Sequence, residues 1–270
     1  WCLMLLLELF PNIPHGLIEY GRYLSTLFIL GAGIAVLGAR RPGAQAWTWF
    51  VVAPMFLVLG WPALLSWGNE SIPERLELMT PAFLGLLLVI VMATGNYLTT
   101  RWEFPLLCTA LSLVLFLIGR TLWIPTSGIW PMGIQLASDL IGLLALFLAM
   151  LGTTASHPTA SHGLERFWQD FLNHFGIVWG YRVMERLNLE AQRLDWPFRF
   201  EIDRIVSNPE HTNAPPALNP ADLPEKVPGE VRFSLEWLFR RFVTDEWRDA
   251  RLGPEWSSVS STPPSGGTSQ

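Results

Sequence analysis

The sequence predicts an all-α integral membrane protein followed by a small, mainly helical module and a disordered tail. Half of its 270 residues are hydrophobic and only 15% are charged, whereas soluble domains carry about 25% charged residues. The apolar residues are concentrated before residue 152, in runs too long for the core of a soluble domain. We therefore expect residues 1–152 to form a transmembrane helical domain.

Five apolar segments are each long enough to cross a bilayer, which takes roughly 20 residues. They are residues 17–38, 47–67, 79–98, 104–123 and 131–151. The second contains Pro54 and Pro62, which a transmembrane helix tolerates where its neighbours satisfy the freed carbonyl groups. Residues 1–10 are apolar but too short to span. Because the chain begins at Trp1 and not at Met, we expect an incomplete N-terminus and a sixth span if that helix continues upstream.

Basic residues in the short links predict the orientation. Arg40, Arg41 and Arg101 fall on one side of the predicted membrane, and Arg75 falls on the other among three glutamates. Short cytoplasmic loops carry an excess of Arg and Lys, so the first side is expected to be cytoplasmic. Residue 17 would then lie outside and the long C-terminal part inside. We expect a multi-pass protein of a bacterial inner membrane.

Full charges stand inside the predicted fourth and fifth spans. Arg120 lies near the outer end of the fourth span, and Asp139 lies further into the fifth. Their Cα atoms should differ in depth by about 7–8 Å at helical rise, a gap that a long Arg side chain can bridge. Gln135 is placed to hydrogen-bond Asp139. Glu19 and Arg22 form an i, i+3 pair at similar depth in the first span.

We call Arg120, Asp139, Gln135, Glu19 and Arg22 the polar cluster, and the sequence leaves two interpretations of it open. An unpaired charge within a bilayer costs a few kcal/mol or more, so pairing or access to water is expected. The cluster is either an ion, proton or substrate site in the outer leaflet, or a structural arrangement. In the second case Arg120 extends outwards to the interface and neighbouring helices satisfy Asp139.

The composition changes after residue 151. Residues 153–163 form a polar linker, 164–253 a cytoplasmic module, and 254–270 a tail rich in Ser, Pro, Gly and Thr that we expect to be disordered. Within the module, residues 164–194 predict one long amphipathic helix and residues 198–206 a short strand. Ser234 is expected to cap a second amphipathic helix that runs to about residue 251.

The aromatic arc of the first amphipathic helix is the predicted contact surface of the module. Phe167, Trp168, Phe171, Phe175 and Trp179 share one face at 100° per residue. This face fits contact with a protein partner or with the membrane surface, and it fits packing against residues 235–242 equally well. Gly176 and Gly180 on the same helix have a spacing that permits close helix approach, with local weakening of the helix as the alternative.

Histidine, cysteine and motif content give no positive indication of an enzyme. All five His lie outside the predicted spans, which disfavours a membrane-embedded bis-His haem, and Cys2 and Cys108 support neither a disulfide nor a metal cluster. The sequence contains no nucleophile elbow, P-loop, HExxH or dinucleotide-binding fingerprint. We predict no catalytic residue, metal or cofactor, and the lack of basic excess in either half argues against nucleic acid as a partner.

These observations favour a non-enzymatic polytopic membrane protein. It would act as an anchor, accessory or assembly subunit through its amphipathic helices, contacting the lipid bilayer and a protein partner or second copy through residues 164–251. The alternative is a small permease or transporter subunit that uses the polar cluster. An intramembrane enzyme with dispersed residues is a third, weaker hypothesis.

Overall fold

The computed structural model describes residues 12–38, 47–67, 76–124, 129–154, 163–208 and 229–252, and these residues are mostly helical. The chain divides into two compact units. The first holds Trp1–Ser156 together with Phe175–Val178, and the second holds His157–His174 and Trp179–Gln270. The predicted sixth span and the tail lie outside the described residues, as does most of the predicted linker.

The described part of the first unit is built from apolar helices in sequence order. They are α1 (His15–Leu37), a π-helical segment (Thr48–Val52) that continues as α2 (Ala53–Trp67), α3 (Thr80–Gly95), α4 (Glu103–Ile118) and α5 (Ile129–Thr154). By length and composition, three stretches can cross a membrane: His15–Leu37, Thr48–Leu65 and Ile129–Thr153. The π-helical segment precedes Pro54, which has no N–H to donate.

Helices α3 and α4 are shorter than the spans 79–98 and 104–123 predicted from the sequence. Each has 16 residues, or about 24 Å at 1.5 Å per residue, against a hydrocarbon core of about 30 Å. Residues 119–123 of the second predicted span follow the end of α4, and residues 96–98 of the first belong to a tight turn between the two helices. Thr99 adopts φ +65° there, and its N–H donates to the Glu103 carboxylate at the start of α4 (3.1 Å).

The core of the first unit lies among α1, α2, α3 and α4, with the segment before α3 completing it. Its buried residues are Tyr20, Tyr23, Leu27, Leu30, Leu59, Ala63, Leu76, Leu78, Phe83, Leu86, Ile90, Leu113, Phe116 and Leu117. The Tyr20 and Tyr23 hydroxyls donate to the carbonyls of Ala63 and Leu59 in α2. These carbonyls flank Pro62, where the proline interrupts regular helical hydrogen bonding.

Helix α5 packs on α4 through two small polar residues. The Ser112 hydroxyl donates to the Ser138 carbonyl (2.8 Å), and the Ser138 hydroxyl donates back to the Ser112 carbonyl (2.9 Å). Both serines are buried. Small residues let helix backbones approach closely in apolar surroundings, so this exchange sets the register of α5 against α4. Elsewhere on its surface α5 exposes large apolar side chains, among them Trp130, Leu140 and Phe147.

The second unit combines α6 (Leu164–Arg193), a hairpin of β1 (Phe198–Phe200) and β2 (Ile205–Ser207), α7 (Gly229–Phe239) and α8 (Asp245–Leu252). The single predicted strand 198–206 is thus two short antiparallel strands, because residues 201–204 turn. The predicted second amphipathic helix is also two helices. It begins at Gly229 and not at Ser234, and Thr244 interrupts it by capping α8, where the Trp247 N–H donates to the Thr244 hydroxyl (3.3 Å).

Helix α6 is interrupted at Gly176, where the sequence predicted a continuous helix. Gly176 has φ +78° and ψ 179°, a conformation that is essentially restricted to glycine. The Phe175–Val178 segment belongs to the first unit, and buried Asn96 satisfies its backbone. The Asn96 carbonyl accepts the Ile177 N–H (2.6 Å), and its side chain accepts the Val178 N–H (3.1 Å) and donates to the Phe175 carbonyl (3.2 Å).

Replacing Gly176 by alanine should destabilise the protein by about 2 kcal/mol or more. The strained backbone costs roughly 1–3 kcal/mol for a residue with a Cβ, and the added Cβ would overlap the side chain and carbonyl oxygen of Asn96. The measurement is the shift in thermal unfolding of the full chain in detergent. Gly133→Ala is the matched control, because a Cβ at Gly133 meets nothing within 4 Å. Equal stability of the two variants would show that the break at Gly176 is not required.

Candidate functional site: the polar cluster

Three helix ends bring the polar cluster together at one end of the first unit. Glu19 and Arg22 lie in the opening turns of α1, Arg120 follows the last residue of α4, and Gln135 and Asp139 lie in the first half of α5. Glu19 is 9% exposed, Arg22 2%, Arg120 6% and Asp139 8%. Four charged side chains are therefore removed from solvent within a unit whose other surfaces are mostly apolar.

Arg120 holds Glu19 with a two-pronged ion pair. Its Nε donates to Glu19 Oε1 (2.6 Å) and its Nη2 donates to Oε2 (2.5 Å). Its Nη1 donates to Gln135 Oε1 (2.7 Å) and to the Phe116 carbonyl (3.2 Å), and the guanidinium carbon lies 3.6 Å from the centre of the Phe116 ring. Such a fork fixes orientation as well as charge, so the end of α4 is tied to α1.

Asp139 is held by a different arginine. Arg22 Nη2 lies 3.2 Å from Asp139 Oδ2, while Gln135 Nε2 donates to both carboxylate oxygens, at 3.1 Å and 3.0 Å. The Gln135 amide therefore accepts from Arg120 on one side and donates to Asp139 on the other. This amide joins the two ion pairs into one hydrogen-bonded network that spans α1, α4 and α5.

The structure arranges the predicted residues differently from the sequence interpretation. The sequence allows a bridge between Arg120 and Asp139, whereas in the structure hydrogen bonds link these two side chains through Gln135. The sequence predicts that Glu19 and Arg22 either pair on one helix or join the cluster, and in the structure each binds a charged side chain of another helix. Helical spacing could place these groups at one depth, but it could not show which partner each would face.

The backbone around Arg120 is fixed as well. The Leu78 N–H donates to the Arg120 carbonyl (2.8 Å), and Leu78 forms an isolated parallel bridge with Thr121. The segment that enters α3 and the segment that leaves α4 thus lie side by side next to the cluster. This backbone contact, for which the sequence carries no recognisable signal, restricts the positions that the Arg120 side chain can reach.

The aromatic arc predicted as a contact surface is mostly internal to the second unit, which corrects that prediction. Phe167, Trp168 and Phe171 are at most 1% exposed and Trp179 is 9% exposed. Ring centroids of Phe167 and Phe171 lie 4.6 Å and 5.0 Å from that of Phe239 in α7. The arc is buried because α7 and the hairpin supply matching apolar faces. The alternative interpretation, packing against residues 235–242, describes this arrangement.

The remaining member of the arc belongs to the other unit. Phe175 is half-buried and belongs to the segment counted with the first unit. The Trp168 indole donates to the Glu201 carbonyl (2.9 Å), and Asn188 exchanges two hydrogen bonds with the Phe200 backbone, both at 2.8 Å. These contacts fix the hairpin on α6, and the sequence alone gave no indication of Asn188 in that role.

An exposed charge network on the hairpin contrasts with the buried cluster. Hydrogen bonds from Arg204, joined by Arg199, lower the pKa of the Glu201 carboxyl. In α6, burial raises the pKa of the Glu165 carboxyl, and the charge of Asp203 adds to this effect. Water screens the exposed ion pairs of the hairpin. These pairs therefore serve as the reference for the strength of the buried ion pairs in the polar cluster.

Comparison with protein-family models, with curated proteins and with solved structures finds no match for the chain. Within the described ranges, no group of three or more His, Cys, Asp or Glu side chains is placed to hold a metal ion. The two arginines and two carboxylates of the cluster balance in charge. Each carboxylate oxygen of Glu19 and Asp139 accepts at least one hydrogen bond.

A double-mutant cycle should separate the pairs that the structure shows. Glu19→Gln and Arg120→Gln are each expected to destabilise the chain by about 3–5 kcal/mol, because each leaves a buried charge uncompensated. The double variant should lose clearly less than the sum, with a coupling of about 2–3 kcal/mol. Detergent unfolding curves of the four proteins measure this quantity.

The same cycle on the exposed Glu201 and Arg204 is the control and should give a much smaller coupling. A cycle on Arg120 and Asp139 should give less coupling than that on Glu19 and Arg120, since Gln135 stands between the two charges. Equal coupling in both buried cycles would contradict the observed pairing.

Proposed function

We propose that this chain is a non-enzymatic polytopic membrane protein that anchors a folded C-terminal module. Five helices, α1 to α5, would cross the membrane, with the module on the cytoplasmic side. The module would serve as an accessory or assembly subunit for a protein partner or second copy. The single observation that carries this proposal is the mutual neutralisation of the polar cluster, which ties three helices together and engages every carboxylate oxygen in it.

The exposed surface of the first unit supports its placement in a bilayer. Large apolar side chains are exposed along its helices, including Phe28, Phe50, Leu88, Phe104 and Phe147. Contiguous exposed apolar surface of this extent is costly in water and favourable against lipid tails. Helices α3 and α4 are short, but a bilayer can thin locally to meet a short helix at a cost of fractions of a kcal/mol per Å.

Cysteine labelling distinguishes five spans from three. If α3 and α4 both cross, the turn between them at Thr100 is cytoplasmic. If only the three longer helices cross, that turn lies outside. We expect Thr100→Cys, in a chain whose Cys2 and Cys108 are replaced by serine, to react with a membrane-impermeant maleimide only after permeabilisation. Ser127→Cys is the control, because both topologies place it outside. Labelling of Thr100→Cys in intact cells would overturn the five-span proposal.

The partner function is tested by removing the second unit. Full-length chain and a chain ending at Thr154 are cross-linked in native membranes and purified in mild detergent. We expect a specific cross-linked protein, or a dimer, with the full chain and its absence with the shortened one. The neutral Glu19→Gln/Arg120→Gln variant should retain the cross-link, because its module is unchanged. A monomer in all three preparations would argue against an accessory or assembly role.

A small permease or transporter subunit is the second candidate, favoured by the burial of four charges beside Gln135. A transport role needs these charges to exchange partners during a cycle. It would therefore be favoured if Asp139→Asn, correctly inserted and folded, abolished a phenotype that the parent chain supports. Because every carboxylate oxygen of the cluster accepts a hydrogen bond, the anchoring role is the stronger proposal.

A further inference from the structure

A basic and aromatic groove lies on the second unit, away from its core. It has a volume of about 280 Å³ and is lined by the C-terminal half of α6 and by α7. Arg186 and Arg193 of α6 flank Glu190 on one wall, with side chains 56% and 70% exposed. Phe233 and Trp237 of α7 form the other wall and are 69% and 37% exposed. We call these residues the α6–α7 groove.

The exposed face of α7 follows from its helical period. Leu235 and Phe239 are buried four residues apart in the aromatic core. Phe233 and Trp237, also four residues apart, therefore project from another side of the same helix. Phe239 contributes to the core and Phe233 does not, although both are phenylalanines on one helix. The aromatic pair on the outer face thus takes no part in the core that the described residues of the second unit form.

Arginines extend the groove beyond the end of α7. The guanidinium carbons of Arg240 and Arg241 lie 5.8 Å and 4.8 Å from the Trp237 ring centre. With Arg186 and Arg193 they make four positive charges, against Glu190 in the groove and Glu236 on α7. Glu190 already binds Arg193 at 2.7 Å. Counting these six described side chains, the patch keeps an excess of positive charge next to exposed aromatic rings.

We infer that the α6–α7 groove and the adjoining Arg240 and Arg241 bind anionic phospholipid headgroups at the membrane surface. Arginines meet the phosphate groups, and the Trp and Phe rings occupy the boundary between headgroups and acyl chains, where such side chains are favoured. This inference rests on the proposed membrane anchoring. It assigns the aromatic contact with lipid to residues other than the buried arc of α6.

The bilayer is favoured over a soluble acidic partner by covalent tethering. Helix α5 ends at Thr154 and α6 begins at Leu164, so a short connection joins the second unit to a helix long enough to span. Short tethers give effective concentrations in the millimolar range. An acidic protein must compete with a headgroup surface that is always within reach, whereas the headgroups need only weak intrinsic affinity.

Hydrogen–deuterium exchange of the full chain in lipid nanodiscs tests the inference. Discs of phosphatidylcholine alone are compared with discs in which phosphatidylglycerol replaces part of it. We expect the amides of residues 233–241 to exchange more slowly in the anionic discs and to lose this difference at high salt. One arginine near an anionic surface changes the affinity for that surface about fivefold. The variant Arg240→Gln/Arg241→Gln should therefore weaken the affinity of the groove for anionic discs by up to roughly 30-fold, and the difference in amide exchange between the two kinds of disc should shrink accordingly.

Arg199→Gln/Arg204→Gln is the matched control, since it removes two exposed arginines of the hairpin and should leave the difference intact. Exchange in residues 164–174 reports whether each variant keeps its core. Equal exchange of residues 233–241 in both kinds of disc overturns the inference, and slow exchange in both indicates a protein cover instead. Failure of the chain to enter discs at all would count against the anchoring proposal. The exchange pattern of residues 233–241 tests only the lipid contact of the groove, so the two failures are distinguishable.

Discussion

The ion pair between Arg120 and Glu19 is the interaction on which the arrangement of the first unit depends. Burying either charge alone costs several kcal/mol, because the lost hydration is not replaced. With both oxygens of Glu19 engaged by one guanidinium, α1 cannot slide or rotate relative to the end of α4 without exposing a charge to apolar surroundings. Gln135 extends the constraint to α5. Because separating these buried charges is costly, the cluster fixes the positions of α1, α4 and α5 relative to one another.

The same rule governs the uncharged polar groups of the first unit. Apolar surroundings supply no water, so each buried backbone or hydroxyl group needs a partner within the protein. Tyr20 and Tyr23 meet this need near Pro62, and Ser112 and Ser138 meet it for each other. Asn96 does so at the helix break around Gly176, where two N–H groups would otherwise lose their helical acceptors. These polar side chains therefore mark places where one segment of the chain is held in register with another.

Much of the fold could be predicted from composition and periodicity, because long apolar runs and helical spacing are local properties of the sequence. The start of α1, the position of Asp139 within α5 and the amphipathic character of α6 all follow from them. The pairing of the charges could not be predicted, because tertiary geometry decides whether Arg120 binds Glu19 or Asp139. In the sequence, Gly176 is recognisable only as a small residue that permits close helix approach. Its positive φ depends on Asn96, some 80 residues earlier, which no local pattern can reveal.

Because the aromatic arc is buried, a partner of the second unit must contact a different surface. An amphipathic helix next to apolar spans is compatible with a membrane-surface helix, and the sequence alone could not distinguish that role from an internal one. Once Phe171 packs against Phe239, the arc stabilises the module and is unavailable outside it. Among the described residues, an exposed aromatic surface of the second unit lies on the far side of α7, where Phe233 and Trp237 stand beside arginines. Helix α7 has apolar residues on two faces: one packs in the core of the second unit, and the other is the face for which we infer a contact with lipid headgroups.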